Sequence, residues 1–260
     1  MLDAGARSAL AATRFADVRW VAEIDSTNRY LLDEARAGSP EGVVVVADHQ
    51  TAGRGRLGRT WTAPPGASLL VSILLRPRVP VEALHLVTVA VGLAAADACA
   101  AVTGVRPELK WPNDLIVGDR KLAGVLAEAD LGTSGPPAVV VGIGINANWP
   151  DALPEELAET ATALNRESGR PADRAELLVR LLGGLEPRYA ALDGPDGRTE
   201  LASEYRRRCA TIGRAVRVDL TDGSFAGEAV DVSDEGHLLV STDACLRTVS
   251  AADVVHLRPL

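Results

Sequence analysis

Through the first 210 residues, short β-branched apolar runs alternate with longer stretches whose apolar positions recur at helical spacing. Val43–Ala47, Ser68–Leu75 and Ala138–Ile145 are near-continuous apolar runs, the pattern of strands buried on both faces. Val18–Glu23 predicts a shorter strand. Asp25-Ser26-Thr27-Asn28 then offers N-cap chemistry for a helix running to about Ala37, which Gly38-Ser39-Pro40 stops. Pro80 opens a long helix over Val81–Val102. His85, Thr88, Gly92 and Asp97 interrupt its apolar stretch, so it reads as a buried core helix and not a membrane span. Leu109–Trp111 and Asp114–Val117 predict strand pieces around Pro112. Gly118-Asp119 marks a turn into a strand over Lys121–Glu128. Helices follow near Asp173–Ala191 and Thr199–Ala210.

After Thr211-Ile212-Gly213 the period shortens. Val216–Leu220, Ser224–Val232, His237–Val240, Arg247–Val249 and Val254–Leu257 are short β segments. They are punctuated by Asp222-Gly223, Asp234-Glu235-Gly236 and Asp243-Ala244. Such spacing predicts a small β-barrel of SH3-like size. The expected organisation is an α/β (α+β) domain over residues 1–211 and a β domain over residues 212–260.

Composition narrows the function. A net charge of −8 on 260 residues argues against a general nucleic-acid or membrane-surface binder. Cys99, Cys209 and Cys245 are far apart with no CxxC spacing, so neither a disulfide framework nor a zinc site is expected, and a reducing cytoplasm is. The N-terminal residues carry no apolar run of the secretory kind. Of 27 basic residues only Lys110 and Lys121 are lysine, and they lie eleven positions apart. Biased codon use accounts for the scarcity but not for the clustering. A lysine kept where arginine is the default cation marks a site that needs a compact point charge.

The other basic cluster is Q-T-A-G-R-G-R-L-G-R-T-W-T at residues 50–62. Its glycines permit close backbone approach, and its arginines offer forked donors matched to phosphate or carboxylate. Alone it is a weak signal. It lacks the G-K-[ST] of a Walker loop and the helix-opening context of a Rossmann fingerprint.

Joined to the rest, it is specific. The chain carries, in order, S-T-N (residues 26–28), H-Q-T-A-G-R-G-R-x-G-R-x-W (49–61), K-W-P-N-D (110–114), K-L-A-G-x-L-x-E (121–128) and G-x-G-x-N (142–146). With these in view it resembles the biotin protein ligases. The resemblance implies a class II synthetase-like mixed-sheet catalytic domain of the biotin/lipoate ligase type with a C-terminal SH3-like barrel. It also implies biotin and Mg·ATP as substrates. Biotinoyl-5′-AMP would form first and be transferred to a lysine of a biotin carboxyl carrier protein domain of acyl-CoA or pyruvate carboxylases.

By the same resemblance Ser26, Thr27, Asn28 and Gln50 would surround the biotin ureido ring, although helix capping alone explains the first three. Gly53, Arg54, Gly55 and Arg56 would close over biotin and the adenylate. Arg59 and Trp61 would lie near the nucleotide, with the indole stacked on adenine. Lys121 would reach the biotin carboxylate and the α-phosphate, and is with Arg56 the expected catalytic pair. Lys110 and Asn146 would face the phosphates, Asp114 the magnesium, and Gly124 would let backbone approach the ligand. Leu57 departs from the family's pattern, standing where a polar or basic residue is common. About seventeen residues precede the first strand, too few for the winged helix-turn-helix of the repressor-type relatives. The monofunctional form is therefore expected, with no DNA or membrane partner and as a monomer or weak homodimer. Lipoate ligases and octanoyl transferases have a similar catalytic domain but lack the G-R-G-R-x-G-R and K-W-P-N-D pair.

Overall fold

The apolar runs become the centre of a seven-stranded sheet in the computed structural model, which describes residues 2–130, 137–150, 157, 159–220, 223–250 and 253–256. Strands β1 (Val18–Ile24), β2 (Val44–Gln50), β3 (Ser68–Leu75), β4 (Glu108–Lys110), β5 (Asp114–Val117), β6 (Arg120–Asp130) and β7 (Ala138–Asn146) lie in the order β1-β2-β3-β7-β6-β5-β4. Only β1 and β2 run parallel; every other neighbouring pair is antiparallel, which makes the sheet mixed. All positions of β3 and β7 are buried, because both faces of the sheet are covered.

On one face Val44, Val46, Val71, Ile73, Val141 and Ile143 pack against helices α3 (His85–Thr103) and α5 (Arg174–Ala191). On the other, Val43, Val45, Leu74 and Val140 meet Leu31, Leu32 and Ala35 of α2 (Thr27–Arg36). Burying a leucine such as Leu31 contributes about 1.5–3 kcal/mol relative to leaving it exposed. Helix α3 is the apolar stretch expected of a core helix. A 3₁₀ turn over Val81–Ala83 precedes it, and Gly104 ends it in a left-handed cap at φ 82°. Its one charge, Asp97, pairs with Arg188 at 2.7 Å and Arg208 at 2.9 Å.

Helices α1 (Ala4–Leu10) and α4 (Leu164–Ser168) were not expected. Each is too short to show a 3.6-residue period. Helix α6 (Pro195–Arg208) starts four residues before the expected Thr199, because Pro195 is pre-organised for the first helical turn.

The C-terminal strands β8 (Ala215–Leu220), β9 (Gly223–Val232), β10 (Leu238–Ser241), β11 (Leu246–Val249) and β12 (Asp253–His256) form a five-stranded antiparallel sheet, ordered β11-β10-β9-β8-β12. Among the described residues the outer strands β11 and β12 do not pair, so no closed barrel is seen. Asp222 of the expected turn and Leu257 of the last expected strand lie outside the described residues.

This sheet seats on the larger one through a polar seam. The Trp111 indole N–H donates to Gly236 O at 2.9 Å, and the Trp111 backbone N–H to Thr211 Oγ1 at 3.0 Å. His256 Nε2 lies 3.0 Å from the same hydroxyl. Gly236, at φ 80°, sits so close that a Cβ there would be 2.4 Å from the His85 ring. A cavity of about 490 Å³ lies along the seam, lined by His85, Trp111, Tyr205 and His237.

Burial, helped by nearby Lys110 and Arg214, pushes the His256 imidazole from 6.5 down to about 4. Burial lowers His85 as well. Between about 4 and 6.5 the unfolded chain therefore binds more protons than the folded one, so stability falls as the pH drops through that window. Urea titration at pH 7.5 and pH 5 should give the lower midpoint at pH 5. His256→Gln should narrow the gap; an unchanged gap would remove His256 from the account.

Candidate active site

The β7 sequence G-I-G-I-N has strand period, so Gly142, Gly144 and Asn146 share one face with Val140. Register places Ser72 opposite Gly142, and Gly124 of β6 opposite Gly144. Three glycines side by side on neighbouring strands leave a trough in the sheet. Gln50, at the end of β2, and the start of α2 close one end of it.

Ser26 caps α2, its hydroxyl accepting from the Arg29 N–H at 3.4 Å. The Gln50 Oε1 accepts from the Thr27 backbone N–H at 2.8 Å and lies 3.0 Å from the Thr27 hydroxyl. Asn28 is turned inward. Its Oδ1 accepts from Ser72 Oγ at 2.6 Å and its Nδ2 donates to Glu128 Oε2 at 2.9 Å. Capping and site lining thus coincide on one tripeptide.

The Gly/Arg loop is a hairpin closed on itself. Arg54 and Thr60 form a bridge, Gly55 N–H donates to Arg59 O at 2.7 Å, and Trp61 N–H to Gly53 O at 3.0 Å. A Cβ at Gly53 would sit 2.3 Å from Trp61 O, so only glycine allows this closure. Leu57 occupies the tip at φ 55° and is 70% exposed. A left-handed non-glycine residue is uncommon, so the tip holds a strained conformation.

The hairpin lays the Trp61 indole into the trough. A Cβ at Gly144 would be 2.6 Å from the indole, and one at Gly124 3.2 Å. The indole Nε1 is buried with no hydrogen-bond partner. Lys121 Nζ stands 5.6 Å from the Trp61 ring centroid and 2.6 Å from Asp114 Oδ1. That oxygen is buried beside its cation without an aligned hydrogen bond. The Lys121 backbone is clamped in turn: its N–H donates to Thr160 O at 2.8 Å and its carbonyl accepts from Thr162 N–H at 2.9 Å. Asn146, 4% exposed, donates through Nδ2 to Thr162 O at 3.0 Å, so its amide holds that strap.

Trp61 thereby separates two cavities. The inner one, about 30 Å³, is lined by Ser26, Thr27, Asn28, Gln50, Gly124, Gly142 and Gly144. The outer one, about 460 Å³, is lined by Arg54, Arg56, Arg59, Lys110, Lys121 and Asp114, with Arg217 and Val254 of the C-terminal sheet on its rim. Arg56 donates to Asn113 Oδ1 at 3.1 Å, and Asn113 donates to Val125 O at 2.7 Å, which ties the hairpin to β6. Both lysines of the chain line this one cavity.

Every residue expected at the site lines one of these cavities or, like Asn146 and the hairpin's Gly53, buttresses it. Trp61 stands between the two. Three residues at the site were not expected. Ser72 is, with Ser68, one of two buried serines in the β3 run S-L-L-V-S-I-L-L, and stands in the middle of it. Asn113 lies inside K-W-P-N-D, and Glu128 ends K-L-A-G-x-L-x-E on the same strand face as Gly124.

Chemically, the outer cavity gathers six cations and two carboxylates, Asp114 and Asp219, in a chain of net charge −8. That concentration suits a polyanion and a reaction that moves negative charge between phosphate oxygens. Among the described residues no cluster of three or more His, Cys, Asp or Glu side chains could hold a metal. An ion here would need the ligand's phosphates plus the Asp114 carboxylate, which is the usual manner of magnesium.

The chain is similar to known proteins over most of its length. Residues 20–146 match the biotin/lipoate A/B protein ligase family, and residues 211–257 the biotin protein ligase C-terminal domain. The chain is 41% identical over 244 residues to the biotin–[acetyl-CoA-carboxylase] ligase of Mycobacterium tuberculosis, covering 92% of this chain and 88% of that one. It is 33% identical to the bifunctional ligase/repressor BirA of Bacillus subtilis, over 89% of this chain and 71% of that one. Among solved structures, the biotin protein ligase from Aquifex aeolicus in complex with biotin and ATP superposes with a TM-score of 0.80 at 30% identity, covering 94% of this chain and all of that one.

Proposed function

The chain belongs to the biotin protein ligases of the biotin/lipoate A/B protein ligase family, and from that premise we propose that it activates biotin with ATP and passes it to a carrier protein. In the first step a biotin carboxylate oxygen attacks the α-phosphorus of ATP, pyrophosphate leaves and biotinoyl-5′-AMP forms. In the second, the amine of a carrier lysine attacks the acyl carbon, AMP leaves and an amide remains. The observation that carries this reading is the trough beside the cation-lined cavity, with Lys121 at their junction.

We assign the inner cavity to the bicyclic head of biotin, with Ser26, Thr27 and Gln50 facing the ureido group and Asn28 holding them in place. Gly124, Gly142 and Gly144 let the ligand lie against backbone. Lys121, at the boundary, meets the carboxylate and then the α-phosphate. Arg54, Arg56, Arg59 and Lys110 balance the charge of the phosphates. This is positioning and fixed positive charge, most of what a protein contributes to such a transfer. Trp61 is assigned to the wall between carboxylate and adenylate. Asp114, together with the ligand's phosphates, would hold magnesium, which would supply further charge neutralisation.

We read the five C-terminal strands as an SH3-like domain beginning near residue 212, whose Arg217 borders the nucleotide. The carrier is a biotin carboxyl carrier protein domain of an acyl-CoA or pyruvate carboxylase, and the setting is the cytoplasm. Mass spectrometry of a carrier domain incubated with the protein, biotin, ATP and magnesium should show the mass of one biotin on one lysine. No such gain in a fully active mixture would overturn the assignment.

The hairpin should also tighten on its ligands. It carries three arginines within six residues, and its tip is exposed. Trypsin should cut within Arg54–Arg59 in the ligand-free protein, and biotin with ATP should slow that cut about tenfold or more as loop opening becomes rarer. Equal cutting in both states would count against a closing loop.

A further inference from the structure

The inner cavity is too small for the group assigned to it. About 30 Å³ suffices for one or two waters, whereas a dry cavity that takes up benzene measures ~150 Å³. The hairpin and its indole must therefore give way before a bicyclic head group enters.

One contact of the hairpin with the strands beneath it is an ion pair. Arg54 Nη2 lies 2.9 Å from Glu128 Oε1. The other Glu128 oxygen accepts from Asn28 Nδ2 at 2.9 Å. From Asn28 the contacts continue through Ser72, whose hydroxyl is 2.7 Å from Thr27 Oγ1, to Gln50 Oε1. Donor directions are fixed along part of this chain. Asn28 Oδ1 can only accept, so the single Ser72 hydroxyl proton points to it, leaving the Ser72 oxygen to accept. A chain of polar groups thus runs from the hairpin beneath the cavity floor and back to the strand from which the hairpin springs. Arg54 and Glu128 are its only charged members.

Arg54 borders both cavities and also the outer surface where Glu128 stands. Its guanidinium can therefore face either side by side-chain rotation. We infer that Glu128 is a positioning residue that stands in for the ligand's carboxylate: it holds Arg54 until biotin arrives, then gives Arg54 up to the incoming anion. The inference rests on the biotin reading of the site. The pair suits an exchange because it is half open to solvent, Arg54 being 47% and Glu128 21% exposed. Exposed pairs of this kind are weak enough to be displaced, and their removal shifts an equilibrium roughly two- to fivefold.

Glu128→Gln keeps an oxygen for Asn28 and removes the charge that competes for Arg54. Calorimetric titration of the full chain should show biotin binding about two- to fivefold tighter in this variant. Biotinol, the alcohol analogue with no carboxylate, should bind the variant and the wild type equally. A merely structural role for Glu128 would weaken both ligands together. Equal change in both, weaker biotin binding or no change would overturn the exchange. Arg54→Gln breaks the same pair from the other side, and should abolish any preference for biotin over biotinol that depends on Arg54. A preference retained in full would likewise overturn it. Should the wild type bind neither ligand, the biotin assignment itself would fall, an outcome separable from all of these.

Discussion

Lys121→Arg is expected to slow adenylate formation on the order of 100-fold while leaving the protein folded. The charge survives, but the space does not. Lys121 Nζ is enclosed by Asp114 at 2.6 Å, by the Trp61 ring and by the backbone of Gly124, whose absent Cβ would lie 3.1 Å from it. A guanidinium is planar and wider than an ammonium, and it would have to push the indole or leave the Asp114 oxygen, which is buried with no other donor. Either movement shifts the donor by about an ångström, enough to cost that factor in a reaction that depends on positioning. Pyrophosphate release reads the rate, and unchanged thermal unfolding excludes collapse of the fold. Turnover at the wild-type rate would refute the reading of lysine scarcity as a chemical requirement.

The second large effect belongs to Gly142→Ala. The new methyl would sit 2.2 Å from Asn28 Oδ1, 3.0 Å from its Cγ and 3.2 Å from Ser72 Oγ. Asn28 has nowhere to retreat, since its amide is bonded to Ser72, Glu128 and Leu126 O inside the protein. Overpacking costs about 1–3 kcal/mol, and a buried polar atom left without its partner about as much again. A stability loss of about 2–5 kcal/mol is therefore expected in urea titration, together with at least tenfold weaker biotin binding. Gly144→Ala separates the two effects. The three atoms nearest its methyl all belong to the Trp61 indole, the first at 2.6 Å, so it should displace the indole, read by tryptophan emission, at smaller cost in stability. If Gly142→Ala proves as stable as the wild type, the chain of buried contacts is not rigid.

The strands β2, β3 and β7 were legible because burial on both faces writes them as unbroken apolar runs. Helix α3 was legible because its few polar residues break a run that would otherwise span a membrane. The site was legible as a set of motifs but not as an arrangement. That G-x-G and K-L-A-G share a trough follows from the pairing of Gly124 with Gly144, a register no local pattern carries. The place of Trp61 follows from the hairpin folding back on itself, which depends on backbone closure at Gly53 and not on any periodic signal. Arg54 and Glu128 are 74 positions apart, and nothing in the Gly/Arg loop that marks Arg54 points to Glu128 as its partner. Asn28 shows the limit most plainly: its place in the first turn of α2 was evident, whereas the inward turn of its amide required knowing that Ser72 lies beside it.

The two lysines share one cavity, and this has a practical side. Apart from the α-amino group, every amine of the molecule lines that cavity. Amine-directed coupling through a lysine, to a bead, a sensor surface or a dye, would therefore attach inside that cavity. An immobilised preparation made that way would be blocked by its own linkage. Cys245, exposed on the C-terminal sheet while Cys99 and Cys209 are buried, offers the attachment point that leaves the site open.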